Sequence, residues 1–153
     1  MRHEDTKALR HSGIEAQKMA TVGAIKTFRD LTVWQKGMVL AKEVYKATSL
    51  MPDVERFGLT SQMRRASVSI PSNIAEGYAR QGRVEYIRFL KMARGSLAEL
   101  RTQLLLGQDL GFLRINSELG SLLDEVERLL AGLIRSLRVP KPMQILVQSE
   151  KLP

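Results

Sequence analysis

With 153 residues, the chain suits one domain with a single hydrophobic core. Aromatic residues make up only 5% of it while Leu, Ala, Arg, Lys, Glu and Gln are abundant, which predicts an all-α fold. The formal charge of +8 is typical of proteins with polyanionic partners, although solubility alone also explains it. The lack of cysteine excludes disulfides, thiolate metal sites and cysteine nucleophiles, and no apolar stretch reaches the roughly 18 residues that cross a bilayer. We therefore expect a cytoplasmic protein.

The chain begins with a polar segment, residues 1–27, that we predict to be a flexible tail. The first helix is predicted to begin at Thr32, because Thr32 and Gln35 have the spacing of a capping box. It should end near Thr48, since the residue before Pro52 is disfavoured in a helix. Its apolar positions recur three and four apart and predict the core face: Leu31, Trp34, Met38, Ala41 and Tyr45.

The second predicted helix begins at Leu59, after a turn over residues 52–58, and contains a proline. Its core face is Leu59, Met63, Ala66, Ile70 and Ile74, with Arg64, Arg65 and Val68 opposite. Pro71 costs about 3 kcal/mol in a straight helix, so we expect a kink there. The hydroxyls of Ser67, Ser69 and Ser72 are expected to form hydrogen bonds with the backbone groups that the proline leaves unpaired. Asn73 and Glu76 have the spacing of a second cap.

The third helix should run from Arg83 to Leu110 and close at Gly111 in the left-handed conformation. Its core face is predicted to be Tyr86, Leu90, Ala93, Leu97, Leu100 and Leu104. Leu104, Leu105 and Leu106 make this helix apolar all round, which predicts self-association. Gly95 and Ser96 inside it predict a close contact between helices.

Either Asn116 or Ser117 should cap the last helix, and Pro140 should stop it. Its predicted core face is Leu119, Leu122, Val126, Leu129, Leu133 and Leu137, widened by Leu123, Leu130 and Ile134. Residues 139–153 are predicted to be a second flexible tail, with a docking strand at Met143–Val147 as the alternative. Four amphipathic helices with short connections predict an antiparallel up-down-up-down bundle over residues 28–138.

The positive charge is concentrated between residues 56 and 101, where nine basic residues face three acidic ones. Most are arginines, which bind phosphate in a bidentate manner. The predicted nucleic-acid-binding residues are Arg64, Arg65, Arg80, Arg83, Arg88, Lys91, Arg94 and Arg101. The alternative is that these side chains cover apolar surface and form ion pairs, such as Arg88 with Glu85. Stacking platforms are scarce in this segment, where we count Tyr78, Tyr86 and Phe89 and expect all three in the core.

No catalytic, metal-binding or cofactor-binding pattern is present in the sequence. Both histidines, His3 and His11, lie in the predicted tail, away from any serine that would need a base. The chain also lacks the Glu-x-x-His pairs of di-iron bundles and a glycine-rich phosphate loop. Glu76 and Glu99 are expected to pair with arginines rather than with each other. We therefore predict a protein that is not an enzyme.

Several runs resemble the four-helix-bundle proteins encoded in intervening sequences of bacterial 23S rRNA genes. The most specific is Ser69-Ile70-Pro71-Ser72-Asn73-Ile74-Ala75-Glu76-Gly77. Others are Val33-Trp34-Gln35-Lys36, Phe57-Gly58-Leu59-Thr60-Ser61-Gln62 and Asp109-Leu110-Gly111. The resemblance implies an all-α bundle that forms rings, often pentamers, with no assigned catalytic residues, and makes Ser69, Pro71, Asn73, Glu76 and Gly77 a structural motif. The family is distantly similar to the accessory variability proteins of diversity-generating retroelements, which bind nucleic acid and a reverse transcriptase.

These observations predict a non-enzymatic, homo-oligomeric protein that binds RNA or DNA through phosphates with little sequence readout. The alternative is a scaffold that binds a polymerase, a reverse transcriptase or another protein without touching nucleic acid. No membrane partner is expected.

Overall fold

The structure is a computed structural model that describes residues 23–138. Four helices make up most of this part of the chain: α1 (Thr32–Thr48), α2 (Leu59–Ala79), α3 (Arg83–Asp109) and α4 (Ser117–Arg138). Single 3-10 turns precede α1 at Phe28–Asp30 and α2 at Asp53–Glu55, and no strand occurs among the described residues. The all-α prediction is confirmed. Of the two predicted tails, residues 1–22 of the first and all of the second, residues 139–153, lie outside the described part of the chain.

The helices contact one another in a closed cycle, in which each packs on the next along the chain and α4 packs on α1. Side-chain pairs between α3 and α4 run in opposite directions along the two helices, from Arg94 with Glu127 to Arg101 with Asp124. This contact pattern fits the predicted antiparallel bundle. The largest fully buried side chains come from all four helices: Leu40, Val44, Met63, Ile70, Ile74, Leu90, Leu97, Leu100, Leu104, Leu123, Val126 and Leu130.

The face predicted for helix α1 is only partly turned to the core: Ala41 is buried, and Leu31 and Trp34 pack against the core from its edge. The buried residues of α1 are Val33, Gly37, Leu40, Ala41, Val44 and Thr48. Trp34 and Met38 are only half-buried, and Tyr45 is 46% exposed. The physical reason is that α1 has two apolar stripes, and the one containing the small Gly37 fits closely against Pro71 of α2. The Pro71 Cβ lies 3.5 Å from the position a Cβ would take at Gly37.

The capping box predicted at the start of α1 is wrong, although the helix does begin at Thr32. Its N-cap is Leu31, whose side chain makes no capping hydrogen bond. The Gln35 side chain donates through its Nε2 to the Arg29 carbonyl at 2.8 Å. A capping box occurs one turn earlier, in the 3-10 turn. There the Thr27 backbone N–H donates to an Asp30 carboxylate oxygen at 2.9 Å, and this and a second backbone bond lower the pKa of Asp30.

Helix α2 continues through Pro71 without interruption, and the predicted kink of its axis stays a prediction. The Ser67 and Ser72 hydroxyls each donate at 2.8 Å to a backbone carbonyl one turn back. Asn73 is not a cap, because its side chain instead donates to the Ser69 carbonyl at 2.8 Å and to the Ser69 hydroxyl at 2.9 Å. The core face predicted for α2 is confirmed.

The predicted end of α3 is confirmed in its details. Gly111 has a φ of +75°, and the Phe112 N–H donates to the Gly107 carbonyl at 2.9 Å, as in a Schellman motif. The α3 core face is also confirmed, except that Tyr86 is only half-buried. At the start of α4, Asn116 is the cap, because its side-chain oxygen accepts from the Leu119 N–H at 2.8 Å.

In the second half of α4, the core face differs from the predicted stripe. Leu130 and Ile134, predicted only to widen the stripe, are buried, whereas Leu129 and Leu133 are half-buried. The sequence offered leucine on both sides, so spacing alone did not decide which side faces the bundle axis.

Two glycines allow α2 and α3 to approach each other closely. A Cβ at Gly77 would lie 2.7 Å from the Phe89 Cβ, and one at Gly107 would lie 2.9 Å from the Met63 methyl group. The close contact predicted at Gly95 is wrong, because nothing lies within 4 Å of its Cβ position. Its neighbour Ser96 does contact α2, through a 2.9 Å hydrogen bond between its hydroxyl and that of Ser69.

Tyr86 packs beside Gly77, where an added Cβ would lie 3.1 Å from the Tyr86 Cδ2. Its ring is edge-to-face with that of Tyr78, and the centroids are 6.1 Å apart. Its hydroxyl is buried and has no hydrogen-bond partner among residues 23–138. Burial, and secondarily the nearby Tyr78, raises the pKa of Tyr86 to about 12. The aromatic body of Tyr86 therefore serves packing, while its hydroxyl contributes nothing visible to the fold.

We expect Gly77→Ala to lower the free energy of unfolding by about 1–3 kcal/mol, because the added methyl group overlaps the Phe89 Cβ. Gly95→Ala is the matched control in an open helix interior and should raise stability by about 0.5–1 kcal/mol. Urea unfolding followed by circular dichroism measures both. Equal effects of the two substitutions would contradict the close approach of α2 and α3.

We expect Tyr86→Phe to raise the free energy of unfolding by up to about 1 kcal/mol, because it removes a buried hydroxyl without a partner. The folded state holds the Tyr86 proton between pH 10, the ordinary pKa, and about 12, so the stability of the parent protein falls as pH rises through this range. The variant lacks this pH-dependent contribution to the free energy of unfolding, because phenylalanine does not titrate. Urea unfolding at a series of pH values should therefore show its advantage growing above pH 10, and a constant difference would contradict the raised pKa.

Candidate nucleic-acid interface

The eight basic residues predicted to bind phosphates do not form one continuous surface. They fall into a group at the turn between α2 and α3, a group where α3 meets α4, and a pair on α2, while Lys91 is exposed on α3. Arg64 and Arg80 are 16 residues apart on the same helix, a separation of about 24 Å. A ligand that engages all eight must therefore be extended.

The turn group consists of Arg80, Arg83 and Arg88. The Arg80 guanidinium donates to a Glu76 carboxylate oxygen at 2.8 Å, which raises the pKa of Arg80. Arg88 pairs with Glu85 at 3.2 Å, the ion pair that the alternative interpretation expected. Arg83 donates through its Nε to the backbone carbonyl of Leu137.

Two cations of the turn group also lie over the buried Phe89. The Arg80 and Arg88 guanidinium carbons are 5.2 and 5.1 Å from the centroid of the ring. These cations are therefore held in place at one end of the bundle.

The second group is paired with acidic residues of α4. Arg94 contacts Glu127 at 2.8 Å and Arg101 contacts Asp124 at 3.1 Å. On the other side of α4, Glu125 contacts Lys36 of α1 at 3.3 Å. Acidic residues of α4 therefore supply part of the countercharge to α3 and to α1.

The pair on α2 differs in environment. Arg64 is half-buried, donates through its Nε to the Thr48 hydroxyl at 2.9 Å, and stacks over the Tyr45 ring at 4.6 Å. Arg65 is exposed, and within the described part of the chain neither Arg65 nor Lys91 contacts a carboxylate. Within residues 23–138, a phosphate can thus meet Arg64, Arg65 and Lys91 without displacing a paired carboxylate.

Two grooves lie between α1 and α2. The first, which we call the apolar groove, has a volume of about 570 Å³. Its walls are mostly the α1 stripe that was expected in the core, facing apolar residues of α2: Trp34, Met38, Ala41, Lys42, Tyr45, Val68, Pro71, Ser72 and Ala75. This is where the predicted face of α1 is found.

The second groove, which we call the arginine groove, also measures about 570 Å³ and shares Tyr45, Val68 and Ser72 with the first. Its other lining residues include three arginines and an aromatic ring: Arg56, Phe57, Thr60, Ser61, Arg64, Arg65 and Ser69. It is therefore the place where aromatic, cationic and hydroxyl side chains converge.

Phe57 and Arg56 are the residues of this groove that the sequence interpretation missed. Phe57 is 91% exposed, so the count of stacking candidates in this segment was wrong. Arg56 pairs with the exposed Asp53, at 2.9 Å. The signal was present in the sequence, since Phe57 is an aromatic residue directly before Gly58, in a connection and on no apolar stripe. Of the three candidates that were counted, Phe89 is buried and both tyrosines are half-buried.

The Ser69–Gly77 run performs packing roles that fit a structural motif. Ser69 bonds Ser96 of α3, Pro71 packs against Gly37 of α1, and Glu76 pairs with Arg80. Within residues 23–138, no three histidine, aspartate or glutamate side chains are arranged to hold a metal ion. None of the helices in this range is long and apolar enough to cross a membrane. His3 and His11 lie outside the described residues.

Comparison with known proteins identifies the group to which this chain is related. A comparison with curated proteins found no match. The sequence profile of the 23S rRNA-intervening sequence proteins matches residues 29–134, which spans all of α1, α2 and α3 and most of α4. The more distant similarity to retroelement accessory proteins stays a prediction. The chain belongs to the family of 23S rRNA-intervening sequence proteins.

Proposed function

We propose that this protein is a non-enzymatic, homo-oligomeric nucleic-acid-binding bundle that contacts phosphates through the basic side chains of α2 and α3. The observation that carries the proposal is the arginine groove, where Arg56, Arg64 and Arg65 line one surface of a chain with a formal charge of +8. Arginine binds phosphate oxygens in a bidentate manner, and such contacts provide most of sequence-independent affinity.

The ion pairs of the other arginines are compatible with this role. The Arg80, Arg88 and Arg94 pairs are each about half-exposed. Exposed ion pairs contribute only about 0–1 kcal/mol to stability. A phosphate can therefore replace the carboxylate as the partner of the arginine at little cost. The family is named after intervening sequences of 23S rRNA, which makes RNA the first polyanion to test.

Two separate apolar surfaces support self-association. One is the apolar groove between α1 and α2, and the other is formed by the half-exposed Leu105 and Leu106 of α3. A contact between two different patches repeats from subunit to subunit and closes into a ring when the rotation allows it. The family resemblance favours five subunits.

A scaffold that binds another protein is the second candidate, and the apolar groove favours it. An amphipathic helix of a polymerase or reverse transcriptase is the kind of partner such a groove accepts. Capture of the same partner from the native host after nuclease treatment would favour the scaffold over the nucleic-acid binder.

We expect RNA affinity, measured by fluorescence anisotropy, to fall steeply with salt, with a log–log slope near −0.9 per duplex phosphate neutralised. Arg65→Ala should weaken binding at all sequences and make the slope shallower by about 1. The control is Arg135→Ala, an exposed arginine of α4, which should change neither quantity. Absence of binding at low salt would overturn the proposal. Equal effects of the two variants would show that net charge alone drives binding.

We expect Val68→Asp to convert the oligomer to smaller species, because it places a charge in the wall of the apolar groove. Val39→Asp is a matched control on α1, since Val39 is 41% exposed compared with 44% for Val68 and lines neither groove. Multi-angle light scattering gives the mass of each variant. A monomeric parent protein would overturn the ring, and dissociation of both variants would place the subunit contact elsewhere.

A further inference from the structure

The arginine groove contains a feature that phosphate binding alone does not explain, the aromatic ring of Phe57. This ring is 91% exposed, although aromatic side chains contribute most when buried. It immediately precedes Gly58 and the first turn of α2, and it lines the groove. Proteins that bind single-stranded nucleic acids place exposed aromatic rings beside cations, because the unpaired bases present flat faces that stack on the rings.

The cations around the ring are available in different degrees. Arg65 has no carboxylate contact within residues 23–138, and the pair of Arg56 with Asp53 is exposed on both sides. Arg64 is held by the Thr48 hydroxyl and the Tyr45 ring, so its guanidinium is positioned before any ligand arrives. Fixing a binding group in advance reduces the entropy lost on binding.

The size and polarity of the groove also match a nucleotide. Its volume of about 570 Å³ lies within the usual range of about 300–1,000 Å³ for small-molecule sites. Ser61, Ser69 and Thr60 add hydroxyls to the wall, and the Thr60 hydroxyl is buried without a hydrogen-bond partner among residues 23–138. By contrast, the apolar groove beside it is lined mainly by hydrocarbon and contains none of the three arginines.

We propose that the arginine groove binds one nucleotide of a single-stranded nucleic acid, with its base stacked on Phe57 and an adjacent phosphate held by Arg64 and Arg65. The proposal rests on the proposed function and names its substrate class. In a duplex the faces of the bases are covered by their neighbours, so the ring contributes only to single-strand binding, while the arginines contribute to both.

The test compares Phe57→Ala with the parent protein, using labelled oligo(U), oligo(dT) and a duplex in anisotropy titrations over a range of salt. Loss of one base stack should weaken single-strand binding by about 5-fold or more, with an unchanged salt slope. Duplex affinity should stay within about twofold, because no phosphate contact is lost. The two single-stranded probes distinguish RNA from DNA, and weakening with either supports the proposal.

Val54→Ala is the matched control. Val54 is an 87% exposed apolar residue in the same connection, and it lines neither groove. It should change no affinity, and Phe57→Trp, which keeps a stacking surface, should bind single strands at least as well as the parent protein. Circular dichroism and light scattering check that Phe57→Ala keeps its helices and its oligomeric mass.

The outcomes separate this proposal from the one on which it rests. If the parent protein binds none of the probes, both fail. If it binds them and Phe57→Ala changes no affinity, or weakens duplex and single strand equally, the base site is overturned and phosphate binding stands. If Phe57→Ala loses its oligomeric mass, Phe57 is a subunit contact and the base site is likewise overturned.

Discussion

The bundle depends on how closely α2 can approach both of its neighbours. On one side Gly77 leaves room for Phe89 of α3, and on the other Gly37 of α1 leaves room for Pro71. The hydrogen bond between the half-buried Ser69 and Ser96 hydroxyls joins α2 and α3 at the same interface. The run that carries the family resemblance thus contains contacts that fix the position of α2, and two of its contacting residues, Ser69 and Pro71, also line the grooves.

Helix ends were predictable because their determinants are local. Pro52, Gly111 and Asn116 act on backbone groups within a turn of themselves, so the end of α1, the end of α3 and the start of α4 follow from the sequence. The face of α1 was not predictable in the same way. Both of its stripes are apolar, and the choice between them depends on a small residue meeting Pro71, which belongs to a helix distant in sequence.

The candidate site was predictable in its chemistry but not in its geometry. The positions of the arginines in the sequence place them on α2 and α3. The ion pairs that Arg94 and Arg101 form with α4 depend on how α4 is rotated about its axis, which residue spacing within one helix does not reveal. Periodicity also directed attention to helices and away from connections, so Phe57 was overlooked even though it stands beside Arg56. Function concentrates at such connection residues because they are free of packing constraints.

Tyr45 lines both grooves, and its ring lies under the Arg64 guanidinium. An occupant of either groove therefore contacts a side chain that the other groove also uses. Two sites that share a side chain are thermodynamically linked if an occupant displaces it, and the linkage is reciprocal: whatever one occupant does to the affinity of the second, the second does to the first. Tyr45 is thus a residue through which an occupant of one groove would alter the affinity of the other groove for its own occupant.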